Sequence, residues 1–328
     1  MTQPRFALKP FWRAREFSTL AILAIELLFF AWYLWPEGGG SHPFFNFDNF
    51  VLIFKYSSIY GIAAIGASIV IISGLIDLAP GAVIGLTSVI TGYCFVVAGW
   101  SLPASMAAGL LVGPAAGLFS SWLVVKVKLP PFIATLGVMG IWRGFGFVVT
   151  EARFYDLSSK LPQDWHVMGL PIDWMGPIIM ILLMLIFHLL MTQFQWGRAV
   201  FAVGGNETAA LFSGIRVGRV RTMAYVIAGL LASVSGVVLA AVQGQGKADL
   251  ANGYELDIIA SAVVGGTSLT GGRGSVLGAV LGALIFGVLR NALPQIPGAT
   301  FYDRMIVGVV VIVIVVMDQV LVARSAKA

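Results

Sequence analysis

Cysteine is almost missing from these 328 residues: Cys94 stands alone. A single cysteine can close no intramolecular disulfide and build no thiolate metal cluster, so Cys94 reads as a small apolar residue of a helix. Histidine is nearly as scarce. His42, His166 and His188 lie far apart and show no HExxH-type spacing, which leaves no metal site and no catalytic residue to assign. Charge is the third shortage, at 11%, and the phosphate-cradling loop GxxxxGK[ST] occurs nowhere, so the chain carries no nucleotide cofactor site of that type.

What is there instead is apolar. Hydrophobic residues make up 59% of the chain, and windows of the roughly 20 residues needed to cross the ~30 Å hydrocarbon layer recur along its length. This is the composition of an integral membrane protein. Apolar runs set against Gly, Pro and charge predict ten spans: Ser18 to Trp35, Val51 to Ser73, Gly81 to Ala98, Pro103 to Val125, Phe132 to Thr150, Trp174 to Thr192, Met223 to Val242, Ile258 to Leu269, Val276 to Leu293 and Met305 to Ala323. The eighth is short and glycine-rich, so it is either broken or begins earlier, near Tyr254. These spans define a segment 1–17, a transmembrane domain 18–323 and a tail 324–328.

Net charge is +5, but the basic residues sit beside the spans. Positive-inside sorting accounts for them, and no nucleic-acid surface is needed. With the N-terminus inside, Lys126, Arg198, Arg216, Arg219, Arg221, Arg273 and Arg324 all fall on the inner side. Acids such as Glu37, Asp173, Glu255 and Asp257 fall outside. Both termini are then cytoplasmic. The basic segment ahead of the first span has no small-residue cleavage site after it, which reads as a retained first helix.

Two stretches repeat. IDLAPGAVIGL (Ile76 to Leu86) superposes on SLTGGRGSVLGA (Ser268 to Ala279), bringing Gly81 onto Gly274, Val83 onto Val276 and Gly85 onto Gly278. Both copies fall at an inner-side junction in the same orientation, which suggests two parallel pseudo-repeats. The junctions supply candidate gate and turn residues: Asp77, Gly81, Gly271, Gly272, Arg273 and Gly274. Asp77 has two readings, a gate or partner contact and a cap for the next helix.

The long inner loop 193–222 holds an unexpected polar stretch, GGNETAALFSGI (Gly204 to Ile215). Asn206 can cap a helix whose first turn holds Glu207, and Gly214 can end it in a left-handed conformation. At 100° per residue Ala209, Ala210 and Ser213 share a face of small residues. So short a helix is not stable alone in water, so the membrane domain or a partner must hold it.

The run GRAVFAVGGNETAALFSGI resembles the cytoplasmic signature of permeases in binding-protein-dependent ABC importers for monosaccharides, the ribose, arabinose, xylose and galactose type. GLIDLAPGAV (Gly74 to Val83), PPFIATLGVMGIWRG (Pro130 to Gly144) and GYELDIIASAVVGGTSLTGGRGSVLGA (Gly253 to Ala279) agree with it, in order, from about Asn46 to Asp318. That family usually shows GGIDLSVG where this chain has Leu75 and Ala79-Pro80, a stiffer turn. LTGGR (Leu269 to Arg273) looks like an ABC ATPase signature, but without a phosphate cradle its glycines read as a tight reversal.

The resemblance implies an all-α integral membrane fold of about ten transmembrane helices with a short cytoplasmic coupling helix. It implies a bacterial inner-membrane location and three protein partners: a separate cytoplasmic ABC ATPase holding ATP and Mg, a periplasmic sugar-binding protein, and a second permease copy (homodimer or heterodimer), with membrane lipid around the permease. Gly204, Gly205, Asn206, Glu207, Ala209, Ala210, Ser213 and Gly214 would form the coupling helix. The residues alone also allow a self-sufficient secondary carrier, and a membrane enzyme as a third class.

A sugar path needs hydroxyl and amide groups, for which the candidates are Ser68, Ser73, Thr87, Ser88, Thr135, Gln243, Ser261 and Thr267. Such residues also serve as ordinary packing between membrane helices. Among ionisable groups within spans, Arg290 and His188 lie near span ends and read as snorkelling. Glu26 and Arg143 lie mid-span and face protein or a wet path; whether they pair is open. Phe44, Phe45, Phe47, Phe50, Trp165 and Trp174 read as an interfacial aromatic belt.

Overall fold

The computed structural model describes residues 15–36, 42–160, 166–167, 170–302 and scattered positions between 305 and 316. The fold is all-α and multi-pass. Eight helical segments among the described residues are long and apolar enough to cross a membrane. They are built on α1 (Arg15–Tyr33), α2 (Phe47–Ile72), α3 (Pro80–Gly92), α4 (Leu102–Ser121), α5 (Pro131–Thr150), α6 (Met175–Gln193), α9 (Val217–Gln243) and α11 (Val276–Ala292). Between α6 and α9 lie two short helices, α7 (Gln195–Gly205) and α8 (Glu207–Phe212). The eighth expected span is α10 (Tyr254–Val264). The predicted span Met305 to Ala323 lies largely outside the described residues, as do Trp165 and the two termini.

Local chemistry explains the helix starts. Asn46 caps α2 by accepting from the Asn49 amide, and Ser275 caps α11 by accepting from that of Gly278. Pro80 and Pro131 occupy the first turns of α3 and α5, where the missing N–H costs nothing. α3 and α4 each end in a wide turn, at Tyr93–Val97 and Trp122–Lys126, carrying them to the ends of their spans.

α2 is the axis of the bundle. From Ser57 to Ile72 it is buried on every face, packed by α9, α11, α10 and α6. Lipid supplies no hydrophobic force between helices, so close contact has to come from small residues. Gly113 of α4 meets Gly229 of α9 so closely that a Cβ on either would overlap the other's carbonyl. Gly278 of α11 and Gly265, just past α10, form a second contact of this kind.

Two spans are broken. At about 1.5 Å per residue, the 11 residues of α10 rise only some 16 Å, half a bilayer. It starts at Tyr254, four residues before the expected Ile258, and stops at Gly265–Gly266, where Gly266 takes a positive φ of 93°. The chain ahead of it threads into the bundle along α3: Gly246 packs on Ser88, Ala248 on Gly85, and Ala251 on Gly81. Leu75 to Ala79 form the second break, a mostly buried non-helical stretch that delivers α3. Non-helical backbone at such depth is tolerated only where protein or a wet cavity surrounds it.

Three expectations change with this geometry. Phe44 is fully buried beside Phe30 and Phe286 and is no part of an interfacial belt, because the loop before α2 folds it inward. Arg290 does not snorkel: its guanidinium binds the buried carboxylate of Asp257 at 2.6 Å. Arg143 pairs with Glu255 at 3.3 Å, while Glu26 keeps an enclosed, unpaired Oε2 on α1. Glu255 and Asp257 therefore belong to the bundle and not to an outer loop, because α10 begins with them.

Small residues at helix contacts give a stability test. Gly113→Ala is expected to lower unfolding stability by about 1–3 kcal/mol, as overpacking does. Gly137→Ala, on an α5 face with no atom within 4 Å of the added methyl, is expected to leave it unchanged. Thermal unfolding in detergent reads both, and equal melting temperatures would contradict the packing.

Candidate coupling and gating site

α8 is capped at both ends as its sequence requires. The Asn206 side chain accepts from the Ala209 amide at 2.9 Å. At the other end the Ile215 amide donates to the Ala210 carbonyl at 3.1 Å and that of Gly214 to Leu211 at 3.0 Å, with Gly214 at φ 81°. That is the paired bonding of a left-handed glycine stop. The Ser213 hydroxyl donates to the Ala209 carbonyl.

The side presented to solvent differs from the small-residue face expected. Ala210 is 4% exposed and turned into the protein, whereas Ala209 and Ser213 remain outside. Phe212, at 86% exposed, and Leu211, at 60%, form the projecting apolar knob. Glu207 is anchored: Arg221 of α9 grips its carboxylate with both terminal nitrogens, at 2.9 and 2.7 Å. The Glu207 side chain is 55% exposed, and such a pair contributes no more than about 1 kcal/mol.

A steric junction holds the unit more firmly. Gly204, at the end of α7, lies against the last carbonyl of α2, and a Cβ there would overlap the Ile72 oxygen. The Gly272 amide donates to that same oxygen at 2.8 Å. A Cβ on Gly271 would come 2.9 Å from both the Gly204 oxygen and the Gly74 Cα, and one on Gly272 2.5 Å from the Gly205 Cα. Gly74, Gly271 and Gly272 all take positive φ, between 70° and 82°. The α7–α8 unit thus touches the end of α2 at Ile72–Gly74, just ahead of the first repeated stretch, and the turn Gly271–Gly272 of the second, backbone to backbone.

The other turn candidates serve these junctions. Ser268 donates its amide to the Arg273 carbonyl at 3.0 Å, closing the reversal that LTGGR suggests, and Arg273 points to solvent. Gly274 packs on Ile72 and Thr267. Gly81 lies not in a turn but in the first turn of α3, under Ala251 and Glu255. Asp77 is buried, with its Oδ1 accepting from the Ala79 amide at 2.9 Å just ahead of α3. Tyr225, one helical turn beyond Arg221 on α9, reaches the neighbouring Ile76 carbonyl at 3.4 Å.

The path candidates lie on or beside α2, α3, α5, α9 and α10. Ser68, Ser73, Ser88, Thr135 and Ser261 are buried and donate to carbonyls of their own helices. Thr87 and Thr267 are enclosed without a hydrogen-bond partner, and Gln243 is exposed at the end of α9. The ion pairs at the start of α10 were missed in the sequence; the available signal was two acids two residues apart opening a helix. Leu211 and Phe212 were passed over because a hexapeptide does not reveal which face is covered. Among the described residues no group of His, Cys, Asp and Glu could hold a metal.

Comparison with known proteins gives the family of the chain. Residues 49–315 match the family described as branched-chain amino acid transport system, permease component. The probable ABC transporter permease protein YphD of Escherichia coli is 35% identical, covering 95% of this chain and 92% of its own. The ribose import permease of Bacillus subtilis is 34% identical over 83% of this chain and 84% of its own, and the D-allose permease of Escherichia coli 34% over 93% and 91%. No solved structure matches the chain.

The junction separates two neighbouring glycines. Gly204→Ala places a methyl into the Ile72 carbonyl, whereas the same change at Gly205 meets only the Gly272 Cα at 3.9 Å. Trypsin cleavage at Arg216 and Arg219 in membranes is expected to rise about tenfold for Gly204→Ala, as a detached segment opens more often. It should stay unchanged for Gly205→Ala. Equal cleavage in the two would remove the junction as the anchor.

Proposed function

Because the chain belongs to the transport-system permease family, we propose that it is the membrane-spanning subunit of an ABC importer for a monosaccharide or similar polyol. ATP hydrolysis, with its Mg, takes place on a separate subunit. The observation that carries this reading is the exposed Leu211–Phe212 knob on a helix whose root is locked to the turns at Ile72–Gly74 and Gly271–Gly272. Relatives named for ribose and allose support a sugar as the cargo, and they favour this reading over a self-sufficient carrier.

The knob enters a groove on the ATPase at the cytoplasmic face. Burying a Leu and a Phe side chain contributes about 3–6 kcal/mol together. Driving a two-state gate from 1:99 to 99:1 takes about 5.5 kcal/mol of differential interaction, so a knob of this size is of the right order. Motion then enters the bundle along two routes. Gly204 and Gly205 push on the turns at Ile72–Gly74 and Gly271–Gly272, and the Glu207–Arg221 pair pulls on α9. Ala210 fixes α8 to the bundle, while Asn206 and Gly214 keep its ends square. Asp77, Arg273 and Gly274 shape the moving turns, and Gly81 lets α3 pack closely on the chain ahead of α10. A second permease copy completes the path and a periplasmic binding protein delivers the sugar. The membrane is the bacterial inner membrane, with both termini cytoplasmic.

Reconstitution in proteoliposomes with and without the ATPase and binding protein tests the reading. Uptake is expected only with all components. Phe212→Asp is expected to lower uptake by at least about tenfold, since it removes most of one anchor's burial, and Glu207→Lys by a comparable amount through repulsion from Arg221. Both variants should still insert and fold. Unimpaired uptake in both, or uptake by the chain alone, would overturn the assignment.

A further inference from the structure

The half-length α10 leaves room above its N-terminus, at the end of the bundle opposite α8. A cavity of about 590 Å³ opens there between α2, α10 and α11, within the range of small-molecule sites. Its distance from the glycine junction follows from α2, where Asn49 on the cavity wall and Ile72 at the junction are 23 residues apart, about 35 Å along the helix.

The walls of this cavity have two chemistries. On one side three amide side chains are linked: Asn291 donates to Asn49 Oδ1 at 2.9 Å, and Gln295 donates to Asn291 Oδ1 at 3.1 Å. Gln295 Oε1 is enclosed and has no donor, an acceptor whose burial is costly until something donates to it. On the other side are tyrosine rings: Tyr60 and Tyr254 meet with centroids 4.7 Å apart, and Tyr56 is more than one-third exposed. Beside them Arg290 is neutralised by Asp257. The cavity therefore offers no net charge, amides that both donate and accept, and aromatic faces. A neutral, hydroxyl-rich guest fits all three, because hydroxyls also donate and accept while sugar C–H faces lie on rings.

We propose that this vestibule is a sugar-contacting site on the entry side of the path, with Tyr56, Tyr60 and Tyr254 as its ring platform and Asn49, Asn291 and Gln295 as its polar wall. The proposal rests on the importer reading above and names substrate contacts apart from the serine and threonine candidates. The broken span explains its position: a helix that starts halfway across leaves a wet recess instead of lipid-facing helix.

The complete transporter in proteoliposomes, with radiolabelled D-ribose, D-xylose and D-allose as probes, decides the matter through sugar moved per ATP hydrolysed. Tyr56→Ala and Asn291→Leu are expected to lower that ratio about tenfold. Binding-protein-stimulated ATP hydrolysis should be kept, and Tyr56→Trp should restore the ratio. Tyr56 is exposed enough for its truncation to leave packing intact, so it carries the test if Asn291→Leu does not assemble. An unchanged ratio in Tyr56→Ala overturns this proposal alone. Absence of ATP-driven uptake by the unaltered transporter for all three sugars overturns it together with the importer reading.

Discussion

Where α7 ends, three segments of main chain meet with no side chain between them. Gly204 presses on the last carbonyl of α2, and Gly271 and Gly272 close over it from the turn before α11. Interdigitated side chains can slide or repack, whereas backbone atoms already in contact cannot yield without moving the segments that carry them. Such a junction transmits displacement better than it stores energy. It also accounts for a polar two-turn helix in a chain so poor in charge: α8 needs no stability of its own, because its root is clamped.

Midway along α2 the constraint is electrostatic. Glu255 and Asp257 open α10, and each is met by an arginine from a neighbouring helix, Arg143 of α5 and Arg290 of α11. Replacing a buried pair with apolar residues is often neutral, but removing one partner costs about 3–5 kcal/mol. These pairs therefore act chiefly to fix where the half-span begins. A helix of 11 residues surrounded by small side chains could otherwise slip along α11. Holding its N-terminus at mid-depth keeps the recess above it open.

Legibility followed locality. The caps of α8 were readable because Asn206 and Gly214 act on backbone within a few residues of themselves. The break in the eighth span was readable because its glycines and its length conflict with crossing a bilayer. Which face of α8 is covered was not, since Ala210 turns inward only because α7 and α9 lie where they do. The hydroxyl residues show a related limit: a serine in a membrane helix can satisfy itself on its own carbonyls, so its presence does not show what it faces.

Arg143 and Arg290 mark the boundary most clearly. Composition and periodicity by themselves determined that this is a multi-pass helical membrane protein, with a capped polar helix in its longest inner loop, because those properties depend on water, lipid and neighbours within one helical turn. Only the tertiary structure decided which acid answers each arginine, which glycines touch, and where a cavity remains. Those depend on contacts between residues on different helices, from 33 positions apart for Arg290 and Asp257 to 112 for Arg143 and Glu255, or on the length at which a half-span stops, and no local pattern encodes either distance.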